Sequence, residues 1–262
     1  MLPSQPLNVA LVQTSMIWQQ PAANCAKIAE LLSQLDRPID LVVLPEMFTA
    51  GFGSDPLQHA EPDQGATLEW MCRQAQQLNA ALCGSYAVTT PDGIVNRLQW
   101  VEPTGKVGHY DKRHLFRMAG EHTRYRAGCK RPVFTWRSWR VLPQICYDLR
   151  FPVWQRNRGD YDLMVVPANW PSARRQHWRL LAQARAVENL ACVAAVNRIG
   201  VDGNQLNYAG DTLLIDSRGE LLVDMRDNDG VSVGQLCHQH LQSYRESFAA
   251  HLDADEFVLS GL

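Results

Sequence analysis

Four short stretches of the chain leave little freedom about what must surround them. "LNVALVQ" (7–13), "DLVVLPE" (40–46), "DLMVVP" (162–167) and "ACVAAVN" (191–197) are strand-length runs with apolar interiors. None alternates apolar with polar residues, so none can lie with one face in water. Such strands belong in the middle of a sheet covered on both faces, as parallel strands of α/β proteins are. None is long enough to cross a bilayer.

The covering elements are also legible. "AANCAKIAELLSQL" (22–35) places Ile28, Leu31, Leu32 and Leu35 on one helical stripe. "TLEWMCRQAQQLN" (67–79) does the same with Leu68, Met71, Cys72, Ala75 and Leu78. "RQHWRLLAQARAVENL" (175–190) is the clearest helix. Strands are expected at 81–88 and 96–102, either side of a "TPDG" turn, and at 131–136 and 139–146 about a turn near Arg137–Ser138. Others are expected at 211–216, 220–225 and 231–236, and a helix or tail at 238–253. Strand–helix alternation gives way to hairpins. The expectation is one α/β domain over 1–262, with mixed sheets covered by helices; the pattern leaves the number of layers open.

Bulk chemistry removes several function classes. A net charge of −2 lacks the basic excess of a nucleic-acid binder. The N-terminal "MLPSQPLNVALVQTS" lacks the basic and long apolar regions of a signal peptide. Seven cysteines at 25, 72, 83, 129, 146, 192 and 237 are odd in number, irregular in spacing and without a CxxC. That argues against a disulfide framework or a structural zinc site, and for reduced thiols in the cytoplasm.

Three positions invite chemistry. Cys146, in "VLPQICYDLRFPVW" (141–154), stands where an apolar strand pattern turns polar. A buried cysteine is ordinarily a small filler. At a strand-to-helix bend it becomes an exposed nucleophile with backbone N–H groups aimed beside it. Glu46 closes the apolar run "LVVLPE". Carboxylates are usually exposed, yet the end of a buried parallel strand is where α/β folds bind ligands, and burial suits a carboxyl to proton transfer. Lys112, in "GHYDKRHLF", could hold a thiolate or an oxyanion; Glu121, in "FRMAGEHTRYRAG", reads by default as a surface residue. None of the eight histidines has a catalytic signature around it, so a Cys–His hydrolase is the weaker alternative.

Taken in order, "LVVLPEMFTAGF", "YDKRHLF", "GEHTRYRAG" and "QICYDLRFP" make the chain resemble the nitrilase, or carbon–nitrogen hydrolase, superfamily. "ANWP" and "ARAVENLACVAAVN" extend the likeness. The resemblance implies a four-layer α-β-β-α sandwich and a homodimer packed through the segment after Cys146 and the 175–190 helix. It implies Cys146 as nucleophile, Glu46 as base and Lys112 as oxyanion donor with the Tyr147 N–H. Glu121 would be a supporting carboxylate, and no metal or organic cofactor would be needed. "CYDLRFP" and "NWPSARRQHWRLLAQARAVEN" look most like the omega-amidase branch, which hydrolyses the terminal amide of 2-oxoglutaramate or 2-oxosuccinamate. Arg150, Arg174 and Arg175 are then candidates for the substrate carboxylate, and Phe116, Tyr147 and Trp170 for the pocket wall. An N-carbamoyl amino acid hydrolase, a nitrilase, or a binding domain with a dead site are the competing expectations.

Overall fold

The computed structural model describes residues 6–259. Residues 1–5 of the stretch read as no signal peptide, and the end of the expected 1–262 domain, lie outside the described residues. The first half contributes β1 (Leu7–Gln13), β2 (Leu41–Val43), β3 (Glu61–Pro62), β4 (Ala81–Thr90), β5 (Gly93–Val101) and β6 (Val107–Asp111). The second contributes β7 (Phe134–Trp136), β8 (Trp139–Pro143), β9 (Leu163–Ala168), β10 (Cys192–Asn197), β11 (Ile199–Val201), β12 (Asn207–Ala209), β13 (Leu213–Ile215), β14 (Leu221–Asp224) and β15 (Gly230–Leu236). One sheet runs β15-β1-β2-β4-β5-β6, with β3 beside β4; the other runs β14-β13-β10-β9-β8-β7. Both are mixed. Strands β1, β2 and β4 are parallel in the first sheet, and β8, β9 and β10 in the second.

The period-two alternation of strands builds the layers. In the first sheet Val9, Leu11, Leu41, Val43, Ala81 and Cys83 face the second sheet and join its Val141, Leu163 and Val165 in one core. Their neighbours Ala10, Val12, Val42 and Leu82 face the other way, onto Ile28 and Leu32 of the helix Pro21–Ser33 and Leu68, Met71 and Ala75 of the helix Ala66–Leu78. Every strand residue in that set is fully buried or nearly so, and each large aliphatic among them contributes about 1.5–3 kcal/mol. The outer face of the second sheet is covered by Trp178, Ala182 and Ala186 of the helix Arg175–Asn189 and Leu241 of the helix His238–Ser247. The result is the expected α-β-β-α sandwich.

The differences from expectation are local. Strand β2 stops at Val43 although the apolar run continues to Pro45, because the chain turns there. Strand β8 stops at Pro143, and Cys146 opens a 3-10 turn, Cys146–Arg150, instead of ending the strand. Strand β6 and the small β11–β12 hairpin fall in stretches to which the sequence reading assigns no element. The 238–253 segment is a helix to Ser247 followed by a single turn, Ala250–Asp253.

Strand direction decides where chemistry can collect. Strand β5 is antiparallel to β4, and β6 antiparallel to β5, so β6 ends on the same edge as β2. Glu46 follows β2, Lys112 follows β6, Cys146 follows β8 and Asn169 follows β9. Carboxyl ends of parallel strands are where open α/β sheets hold ligands.

Candidate active site

The turn after β2 is stitched to β4. The Leu44 N–H donates to the Cys83 carbonyl (2.8 Å), the Phe48 N–H to the Ser85 carbonyl (3.1 Å) and the Met47 N–H to Ser85 Oγ (3.1 Å). A Cβ on Gly84 would sit 2.7 Å from the Leu44 Cβ, so only glycine lets β4 approach this turn. Met47 takes a positive φ of 45°, and the preceding Glu46 points inward, fully buried. The Asn169 N–H donates to Glu46 Oε2 (2.8 Å), the Asn169 amide to the Glu46 carbonyl (2.5 Å), and the Asn96 amide to Glu46 Oε1 (2.9 Å).

Lys112 enters from the end of β6, its N–H bonded to the Asn96 carbonyl. Its Nζ donates to Glu46 Oε1 at 2.8 Å and to both carboxylate oxygens of Glu121 at 3.0 Å. All three side chains are sealed from bulk water. Glu121 is fixed further by the Phe116 N–H (2.6 Å). Burial alone would lower the Lys112 pKa, but Glu121 and Glu46 more than reverse this, and it stands above its ordinary value. The group is an ammonium. Burial raises the Glu121 carboxyl above its usual range, against the pull of Lys112.

Cys146 stands at the head of the 3-10 turn with φ +44°, a region that costs a non-glycine residue on the order of 1–3 kcal/mol. The turn is closed by the Asp148 N–H to the Ile145 carbonyl (3.0 Å) and the Ile145 N–H to Asp148 Oδ2 (3.0 Å). Burial, and then the Glu46 carboxylate, push the Cys146 thiol well above its ordinary pKa, while Lys112 pulls it back. The sulfur therefore rests as a thiol beside an acceptor. A carboxylate so placed can take its proton, and the ammonium can stabilise an anion formed there.

Cys146 and Lys112 reach the floor of a cavity of about 270 Å³ walled largely by aromatic and apolar groups, among them Phe52, Phe116, Trp170 and Tyr208. Phe116 and Tyr147 meet ring to ring at 4.9 Å. Of the three arginines singled out, Arg150 and Arg174 line this cavity, lying over Trp170 (4.8 Å) and Phe116 (5.4 Å). Arg175 does not. Its guanidinium forks onto Asp211 (2.5 and 2.9 Å), away from the cavity wall, so the sequence expectation for it is corrected. The chain enters the 175–189 helix here, and one residue's advance turns a side chain by about 100°. Among the described residues no histidine bonds the Cys146 thiol. His114 bonds Asp148, and His177 bonds Arg150.

Asn96, Asn169, Asn197 and Asp148 also belong to the site, and sequence reasoning gave them no role. Asn197 accepts from the Trp170 N–H (2.8 Å) and donates to the Trp170 carbonyl (3.1 Å), fixing the cavity wall. Asn169, Asp148 and Asn197 lie inside the quoted "ANWP", "QICYDLRFP" and "ARAVENLACVAAVN" stretches, which mark their positions without saying what each holds.

A four-layer sandwich with thiol, ammonium and carboxylates gathered at the ends of its parallel strands defines a class of hydrolase. The chain belongs to the carbon–nitrogen hydrolase family, whose pattern matches residues 8–246. It is 45% identical to an omega-amidase of Yersinia enterocolitica over 97% of this chain and 98% of that one, and 46% identical to the omega-amidase of Escherichia coli K12 over the same shares. It also superposes on the crystal structure of a carbon–nitrogen hydrolase superfamily protein from Xanthomonas campestris that carries an arsenic adduct in its active site. That match has a TM-score of 0.96 and 47% identity, over 98% of this chain and 100% of that one.

Proposed function

We propose that the protein is an omega-amidase, hydrolysing the terminal amide of a small 2-oxo dicarboxylic acid monoamide such as 2-oxoglutaramate or 2-oxosuccinamate. Near-full-length similarity to omega-amidases supports the activity, and a 28% identical 2-oxoglutaramate amidase of Bacillus subtilis points to the same substrate class. The observation that carries the residue roles is the buried Lys112 ammonium bridging Glu46 and Glu121 beside the Cys146 thiol.

In this reading Glu46 takes the thiol proton as Cys146 Sγ attacks the amide carbon. The oxyanion that forms lies between Lys112 Nζ and the Tyr147 N–H. The C–N bond then breaks, Glu46 returns its proton to the nitrogen, and ammonia leaves a thioester on Cys146. Water attacks the thioester carbon and gives a proton to Glu46; the C–S bond breaks, the acid departs and the thiol is restored. Glu121 holds Lys112 charged and aimed. Every step is proton transfer and acyl transfer, and none calls for a metal or organic cofactor. Arg150 and Arg174 offer forked donors to the substrate carboxylate, and the aromatic walls exclude bulky amides.

Cys146→Ala and Glu46→Gln should each lower ammonia release from 2-oxoglutaramate by at least ~10³-fold while the fold persists. A folded Cys146→Ala protein at full activity would refute the nucleophile. Faster turnover of glutamine, an N-carbamoyl amino acid or a nitrile than of 2-oxoglutaramate would refute the substrate.

The same reading takes the working form to be a cytoplasmic homodimer. Leu180 and Val187 on the 175–189 helix, and Val153 just after the Cys146 turn, are apolar and at least half exposed in the single chain. All seven cysteines are free. Sedimentation should give twice the 29.5 kDa chain mass, and a monomer at assay concentration would exclude the dimer.

A further inference from the structure

Asp148 is a fully buried carboxylate, and among the described residues no lysine or arginine is paired with it. Such a group is costly to bury, and what it holds shows why it is there. Oδ2 accepts from the Tyr110 hydroxyl (2.8 Å) and the Ile145 N–H (3.0 Å). Oδ1 accepts from the His114 N–H (2.9 Å) and from His114 Nδ1 (2.7 Å), which therefore carries the ring proton. The direction of the tyrosine bond is fixed as well. The Tyr110 oxygen already accepts from Trp154 Nε1 and the Arg113 N–H, both at 3.2 Å, so its own hydrogen goes to Asp148. The His114 ring is braced by Phe151, stacked at 3.9 Å.

These four donors come from two segments. Tyr110 and His114 flank Lys112 by two residues on either side, and Ile145 immediately precedes Cys146. We propose that Asp148 is a positioning residue that fastens the lysine-bearing strand end to the cysteine-bearing turn. In doing so it sets the Lys112–Cys146 approach and the direction of the Tyr147 N–H. The proposal rests on the catalytic reading given above. A carboxylate is required because it can accept all four hydrogens, whereas an amide carbonyl cannot. Asparagine in either orientation would turn its NH2 against a backbone N–H, that of Ile145 or that of His114. A misplacement of about 1 Å between reacting groups is enough to cost about a hundredfold in rate.

The test is Asp148→Asn, with His114→Leu and His114→Asn as a second pair should the first variant fold poorly. Asparagine at 114 can still present an N–H to Asp148, and leucine cannot. Steady-state ammonia release from 2-oxoglutaramate should show kcat of Asp148→Asn down by ten- to a hundredfold with KM within threefold. His114→Leu should lose about tenfold in kcat, and His114→Asn should recover most of that loss. A folded Asp148→Asn protein with parental kcat, or one whose loss lies wholly in KM, overturns the proposal; so does equal kcat in the two His114 variants. Cys146→Ala run alongside separates the two questions. If it is dead while Asp148→Asn is unimpaired, only the fastening role fails; if it is active, the catalytic reading fails first.

Discussion

Two buried charge clusters invite comparison. Around Lys112, one ammonium is held between Glu46 and Glu121 beside the cavity floor. Around Asp162, at the amino end of β9 and so away from Asn169, one carboxylate takes Arg140 (2.7 and 2.9 Å) and Arg245 (2.7 Å), with His238 at 3.7 Å. Arg245 also donates to the Leu190 and Tyr161 carbonyls, so this cluster latches the 238–247 helix onto the sheet. Both are dense and both shift proton affinities. Burial would raise the Asp162 carboxyl, but His238, Arg140 and Arg245 hold it far below its usual range. The difference is what stands beside each. Arg140 and Arg245 border a cavity of their own, but they are committed to Asp162, which does not line it. At Lys112 the ammonium and the Cys146 thiol line one cavity together. A buried ion network thus marks a reactive site only where it shares a cavity with a group that can react.

The comparison breaks first at Lys112. Lys112→Met should abolish turnover and cost about 3–5 kcal/mol, because two buried carboxylates would be left facing each other; denaturant melts and ammonia release read the two effects. Retained turnover would make this cluster a latch like the other. Asp162→Ala should cost about 3 kcal/mol, at the lower end of the range for a broken buried pair because Arg140 is partly exposed. The kcat of its folded fraction should stay within twofold. A large fall in kcat at intact stability would erase the contrast.

The smallest expected effect is on pH dependence. With its folded pKa depressed, Asp162 stabilises fully above its unfolded value near 4 and loses that contribution as pH falls. Cys146, Cys83 and Cys192 are raised, chiefly by burial. Their contribution is complete below the unfolded thiol value near 8.5 and is lost as pH rises, at up to about 1.4 kcal/mol per pH unit for each thiol. Thermal melts should show Asp162→Ala flattening the acid limb and Cys146→Ala the alkaline limb. The reverse assignment would sink the picture.

Much of this was readable from the residues. Apolar runs and helical stripes marked the central strands and three of the covering helices, because each must bury at least one face. Strand β6 escaped because only Tyr110 of "VGHYD" is buried, so the edge strand lacks an apolar signature. Glu46, Lys112, Glu121 and Cys146 were legible through local motifs. Asn96, Asn169 and Asp148 were not, since each acts on a residue between 25 and 123 positions away. Arg174 and Arg175 were indistinguishable until the start of the helix sent one to the cavity and the other to Asp211.

The cleft draws Glu46 and Lys112 from one sheet and Cys146 and Asn169 from the other. Neither half of the polypeptide therefore owns a working centre. During refolding, turnover should return only once the two halves have docked.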